Sequence, residues 1–345
     1  MILLRPLVAG LLLLSCSAFA QRAPLVPEDV MGVETCRECH EEMVLEWEGT
    51  AHARGLSDPV STESAAVIAE ILGMRPADIP RSASCVRCHF TEEVLSGVPQ
   101  VTSGVGCESC HGAAADWIDV HNSRGASRGQ RVDESLRLGM AHPGSILAVS
   151  KACYECHIVD DEQLVNGTGH PALSEGFEIL SWYSGEVNHN FLVDRGSRLK
   201  GHADQLQPIP QTRKRLLFLN GRLLQLGYLL RALSDARDAP VDRDGNFIRL
   251  RDGSYTYGVQ IAREIKRVEA SMRDVTKRVK ISEYVEALAL LRSIRFETGG
   301  GPEMRDAAET LFRLSESFCR NHDGSEFSAI DDLIEELKPR YSDGR

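Results

Sequence analysis

Cys36-Arg37-Glu38-Cys39-His40, Cys85-Val86-Arg87-Cys88-His89, Cys107-Glu108-Ser109-Cys110-His111 and Cys153-Tyr154-Glu155-Cys156-His157 are four copies of one pattern, Cys-x-x-Cys-His. Two thiols three residues apart lie on one helical turn, within reach of the two vinyl groups of a single porphyrin. The adjacent histidine then points at the iron as its proximal ligand. A single copy would also fit a redox dithiol or half of a zinc site. Four copies with the histidine always in the same place, on a chain that begins with an export leader, read as four sites for covalently bound haem c. His40, His89, His111 and His157 are the expected proximal iron ligands, and the eight motif cysteines the expected attachment points.

The leader is residues 1–20. Arg5 supplies a basic start, Leu7 to Leu14 a short apolar run, and Ala18-Phe19-Ala20 before Gln21 a small-residue cleavage signal. Leu13-Leu14-Ser15-Cys16 also matches a lipoprotein box, in which Cys16 would carry the anchor. Either route puts the mature chain outside the cytoplasm, in the periplasm or otherwise exported from a bacterial cell. Of the ten cysteines, eight belong to the motifs, one is Cys16 and one is Cys319, so no pair is left for a structural disulfide. Cys319 beside Phe318 reads as an inert core thiol.

Charge divides the remainder in two. Residues 21–200 carry 14 basic against 27 acidic side chains, a net of −13, whereas residues 201–345 carry 24 against 23. All four motifs lie in the acidic part. A surface of that sign disfavours nucleic acid and steers basic redox proteins, free or membrane-bound, toward the cofactors. Short helical runs with little strand periodicity predict a haem-packed domain over residues 21–205. Beyond it, Leu216 to Leu233 form an apolar helical run with Gly221 and Gly227 as interruptions. Ile261, Ile265, Val268, Met272, Val275 and Val279 alternate by four and three, a seam for an intramolecular helix pair or for a dimer. The fold expected is therefore mainly α: a multihaem domain followed by an antiparallel helical bundle over 206–345, which serves docking or oligomerisation.

Seven histidines lie outside the motifs. His52, His121, His170 and His189 are the candidates for distal iron ligands, with His142 a further one; His202 and His322 read as solvated. His52 sits twelve residues after His40, too close to fold onto the same iron, and so suits a neighbouring one.

Several strings resemble the tetrahaem cytochromes related to cytochrome c-554 of ammonia oxidisers. Cys36 to His40 followed by Trp47 and His52-Ala53 resembles that family's opening motif, and Gly104 to Gly112 trailed by His121 is similar to its third haem site. Gly169-His170-Pro171 through His189-Asn190-Phe191, with Arg213 to Leu230, looks like larger exported relatives. The resemblance implies electron shuttling through closely packed haems, most with two histidine ligands, and a distal role for His52. An electron carrier rather than an enzyme is thus expected. The alternative is a multihaem oxidoreductase with one open iron acting on a small nitrogen or sulfur compound, and every motif here ending in His argues against it.

Overall fold

The computed structural model describes residues 25–57, 62–174, 176–187, 209–237, 249–250, 253, 255–294 and 301–341. The first part is built of short helices: α1 Val33–Glu48, α2 Ala51–Arg54, α3 Glu63–Ile71, α4 Ala83–His89, α5 Glu108–His111, α6 Ile118–His121, α7 Arg128–Arg137, α8 Ile146–His157, α9 Glu162–Thr168 and α10 Ile179–Ser184. Side-chain caps explain where many begin. Thr50, Thr62, Ser145, Asp161 and Glu178 each accept a first-turn N–H, and Ser127 with Gln130 forms a reciprocal capping box. Each haem motif closes a helical stretch. His89, His111 and His157 are the last residues of α4, α5 and α8, and His40 is the non-helical residue that kinks α1.

One hairpin interrupts the helices, and the sequence reading did not anticipate it. Strands β1 Thr91–Leu95 and β2 Val98–Ser103 pair antiparallel across Ser96-Gly97, both at positive φ. Such a two-residue turn needs a glycine-like conformation and matches the twist of a hairpin. It occupies most of the 17 residues between His89 and Cys107.

The second part holds α11 Gln211–Asp235, α12 Tyr257–Arg278, α13 Ser282–Ser293, α14 Pro302–Asn321 and α15 Asp331–Glu335. Helix α11 is apolar on nearly every side and lies at the centre, packed by α14, α12, α8 and α10. Three of its buried polar side chains are tied to neighbouring elements: Ser315 donates to Asn220 Oδ1 at 2.6 Å, Gln225 to Glu264 at 3.0 Å, and Arg215 forms a fork with Asp331 at 2.7 and 2.6 Å. The seam of α12 is intramolecular, since Ile261, Ile265, Met272 and Val275 are fully buried. The glycines do not interrupt α11, which runs unbroken for 25 residues. They permit close approach instead. A Cβ on Gly221 would stand 2.6 Å from Ile179 Cγ2 and 3.3 Å from the Tyr154 hydroxyl.

One hydrophobic cluster runs from Tyr154, Ile158, Val165 and Ile179 through α11 to Ile334, so the helix bearing the fourth motif shares its core with the helical half. The other cluster among the described residues is small, formed by Ala65, Ala69, Ile79 and Phe90 beneath α3.

Candidate functional site

The first part encloses one cavity of about 1570 Å³. All twelve motif cysteines and histidines border it, as do His52, His121, His142 and His170.

Within it the histidines face each other in pairs. The rings of His40 and His121 have centroids 6.3 Å apart, those of His52 and His157 6.2 Å, and those of His89 and His170 6.2 Å. A metal held between two imidazole nitrogens at about 2 Å each puts the ring centroids about 6.3 Å apart. The three separations therefore match a shared axial metal. Ring planes differ, tilted at 31° in the first pair and near perpendicular, 76° and 71°, in the others.

Outer hydrogen bonds fix which nitrogen faces inward. The Nδ1 of His157 lies 2.7 Å from Ser174 Oγ, that of His170 2.8 Å from the Pro171 carbonyl, that of His111 3.2 Å from the Ala141 carbonyl, and that of His121 against the Ile118 carbonyl. An Nδ1–H engaged this way leaves Nε2 as the basic nitrogen, the tautomer a ligand needs. Burial, reinforced by the neighbouring histidines, holds His40, His89 and His157 below the usual imidazole range, His157 down to about 3. Burial lowers His52 as well, against the opposing charge of Glu186. Neutral imidazole is the form that binds a metal.

Two residues between motif cysteines join the motifs in pairs, and nothing in the motif pattern signals either. Glu108, buried between Cys107 and Cys110, accepts the N–H of Met31 at 3.0 Å, Gly32 at 2.9 Å and Ala114 at 2.7 Å. That clamps the entry to the first motif onto the third. Arg87, between Cys85 and Cys88, forms a fork with Asp160 at 3.0 Å, just past the fourth motif. The sulfurs follow the same pairing, with Cys36 beside Cys107 and Cys88 beside Cys156, and the helices of the third and fourth motifs, α5 and α8, touch. These contacts pair the first motif with the third and the second with the fourth.

The other expected residues are placed as follows. His142 is half-buried at the cavity wall, with Nδ1 accepting the Gly144 N–H at 3.0 Å. His189 and His202, like Cys16, lie outside the described residues. His322 is remote from the cavity, against Phe318 and Phe327, with Glu326 at Nδ1. The Cys319 thiol is pushed up to about 12 by burial.

A porphyrin carrying carboxylates suits the cavity in a second respect. The indole N–H groups of Trp117 and Trp182 and the hydroxyl of Ser135 are buried at its wall without a protein hydrogen-bond partner, and Arg128, Arg131 and Arg340 also border it. Buried donors of this kind need acceptors, and propionates supply them.

Comparison with known proteins agrees. Residues 35–112 match the family described as cytochrome c554 and c-prime. Over 137 residues the chain is 30% identical to cytochrome c-554 of Nitrosomonas europaea, a match covering 37% of this chain and 57% of that protein. No solved structure matches. Over its motif-bearing part the chain is thus similar to a c-type cytochrome, and among these to cytochrome c-554. The described residues are predominantly helical, with one two-stranded sheet, as expected for a mainly α fold.

Proposed function

We propose that this chain is an exported electron carrier that holds four haems, one at each Cys-x-x-Cys-His motif, most of them closed by two histidines. The observation that carries the reading is the set of three imidazole pairs at 6.2–6.3 Å inside one cavity bordered by all four motifs. Haem c, when bound, supplies reversible one-electron chemistry at iron. The chain's own part is positional. His40 with His121, His89 with His170 and His157 with His52 fix axial ligation, and two imidazoles per iron leave no position for a small substrate. For His111 the candidate among the described residues is His142, at the cavity wall. Glu108 and the Arg87–Asp160 fork keep the motifs adjacent, which keeps the route between them short. Trp117 and the cavity arginines receive the carboxylates.

Among the described residues no helix is long and apolar enough to cross a membrane. The leader carries the export assignment. Partners are basic redox proteins, because the motif-bearing part has the −13 charge. The helical half serves as support and docking surface for the fourth site, whose helix shares its core.

Electron exchange with a basic c-type cytochrome, followed by stopped flow, tests this reading. The second-order rate should fall at least about tenfold as salt rises from 0.01 M to 1 M, over which the screening length drops from about 30 Å to about 3 Å. A rate that is flat or rises with salt contradicts the charge assignment. Failure to accept and return electrons at all contradicts the function.

A further inference from the structure

We propose that Glu186 is a positioning residue that lowers the reduction potential of the iron between His52 and His157, held in place by the C-terminal segment around Arg340. The inference rests on the assignment of those two histidines as one iron's ligands.

The segment from Gly176 to Val187 reaches both sides of this pair, the ring of His157 and the helix that carries His52. On one side Phe177 stacks on His157 with centroids 4.1 Å apart and planes 16° off parallel. On the other, Glu186, only 6% exposed, accepts the backbone N–H of Ala51 at its carboxylate. Ala51 opens α2, and His52 is its second residue. A buried anion is thus bonded to the short helix that presents the distal ligand, and both Glu186 and His52 border the cavity. The other side of α2 is fixed as well: the His52 carbonyl accepts from Val105 at 2.8 Å, and Trp47 donates to the Val105 carbonyl at 2.8 Å. His52 therefore has little freedom to move away from the charge.

Glu186 is itself held from the far end of the chain. Its N–H donates to the Arg340 carbonyl at 3.0 Å, and the Arg340 N–H donates to the Ser181 carbonyl at 2.9 Å. The Arg340 guanidinium lies over Trp182 at 5.3 Å and donates to the Gly176 carbonyl at 3.1 Å. The last residues of the helical half thus strap the segment over the fourth site. A negative charge in a poorly screened place stabilises the ferric state over the ferrous state, which carries one positive charge less.

Glu186→Gln keeps shape and acceptor but removes the charge. Redox titration followed by EPR reads each iron, and the low-spin component lost in His52→Ala identifies the one concerned. At a fixed potential its ferric-to-ferrous ratio should fall about tenfold, a rise of about 59 mV for one electron, with the other midpoints unmoved. Glu186→Asp, which keeps the charge, should stay close to the native value. Unchanged midpoints in Glu186→Gln overturn the proposal, as does an Asp variant displaced as far as the Gln variant. Loss of the low-spin signal in Glu186→Gln makes the residue a structural support and overturns it too. If His52→Ala removes no low-spin component, the ligand assignment fails instead, which is a separate result.

Discussion

His52→Ala should turn one additional iron high-spin while all the haems remain attached. His52 is the ring facing His157 at 6.2 Å, carried on a four-residue helix. Alanine removes the nitrogen donor without touching Cys153, Cys156 or His157, so covalent attachment survives and one axial position opens. A five-coordinate iron then binds carbon monoxide or nitric oxide, which a bis-histidine iron excludes. Added imidazole should restore the low-spin form, because the space left has the shape of that ring. EPR of the oxidised variant and its difference from the native protein check this. An unchanged spectrum removes His52 from the ligand set. His121→Ala and His170→Ala should each open a different iron, those of the first and second motifs.

Gly221→Val should destabilise the fold more than a surface substitution can. Gly221 is where α11 crosses α10 and α8, and even a Cβ there meets Ile179 at 2.6 Å. Two further methyl groups must displace Ile179 or the Tyr154 ring, which sits in the helix of the fourth motif. Overpacking a core costs about 1–3 kcal/mol, and the roughly 1 kcal/mol gained by replacing a helical glycine with a better helix former offsets only part of the upper range. A loss near 2 kcal/mol lowers the melting temperature by about 3 °C in a chain of this length. Gly129→Ala is the control: it lies in α7 with open space where its Cβ would go, and its melting temperature should hold or rise slightly. A Gly221→Val protein that melts with the native one would mean that α11 does not press on the fourth site.

Much of the site was legible because its chemistry is local in sequence. A Cys-x-x-Cys-His string carries attachment and proximal ligand within five residues, so its reading needs no tertiary information. Reach along the chain likewise kept His52 away from its own motif, and its ring stands opposite His157. Pairing could not be read further, because which distal ring meets which iron depends on how short helices stack around a cavity. Glu108 and Arg87 occupy variable positions of the motif, where composition says nothing of a buried clamp. Glu186 became visible only through a contact 135 residues away, at Ala51. The hairpin had a signal that went unused: Ser96-Gly97 between Glu92-Glu93-Val94-Leu95 and Val98-Pro99-Gln100-Val101 is a two-residue turn between strand-like runs. Glycines inside α11 looked like breaks because helix propensity counts against them, whereas close packing on Ile179 and Phe312 overrides it.

The central claim is that the four motifs carry four haems, at least three of them closed by the histidine pairs seen here. Intact-protein mass spectrometry together with spin quantitation by EPR of the oxidised protein tests it most directly. The account predicts a mass increment of four haems and low-spin ferric signals from three or four irons, with no ligand binding at the three paired sites. Fewer than four haems, or two or more high-spin irons that take up nitric oxide, would contradict it; the latter would favour the oxidoreductase reading.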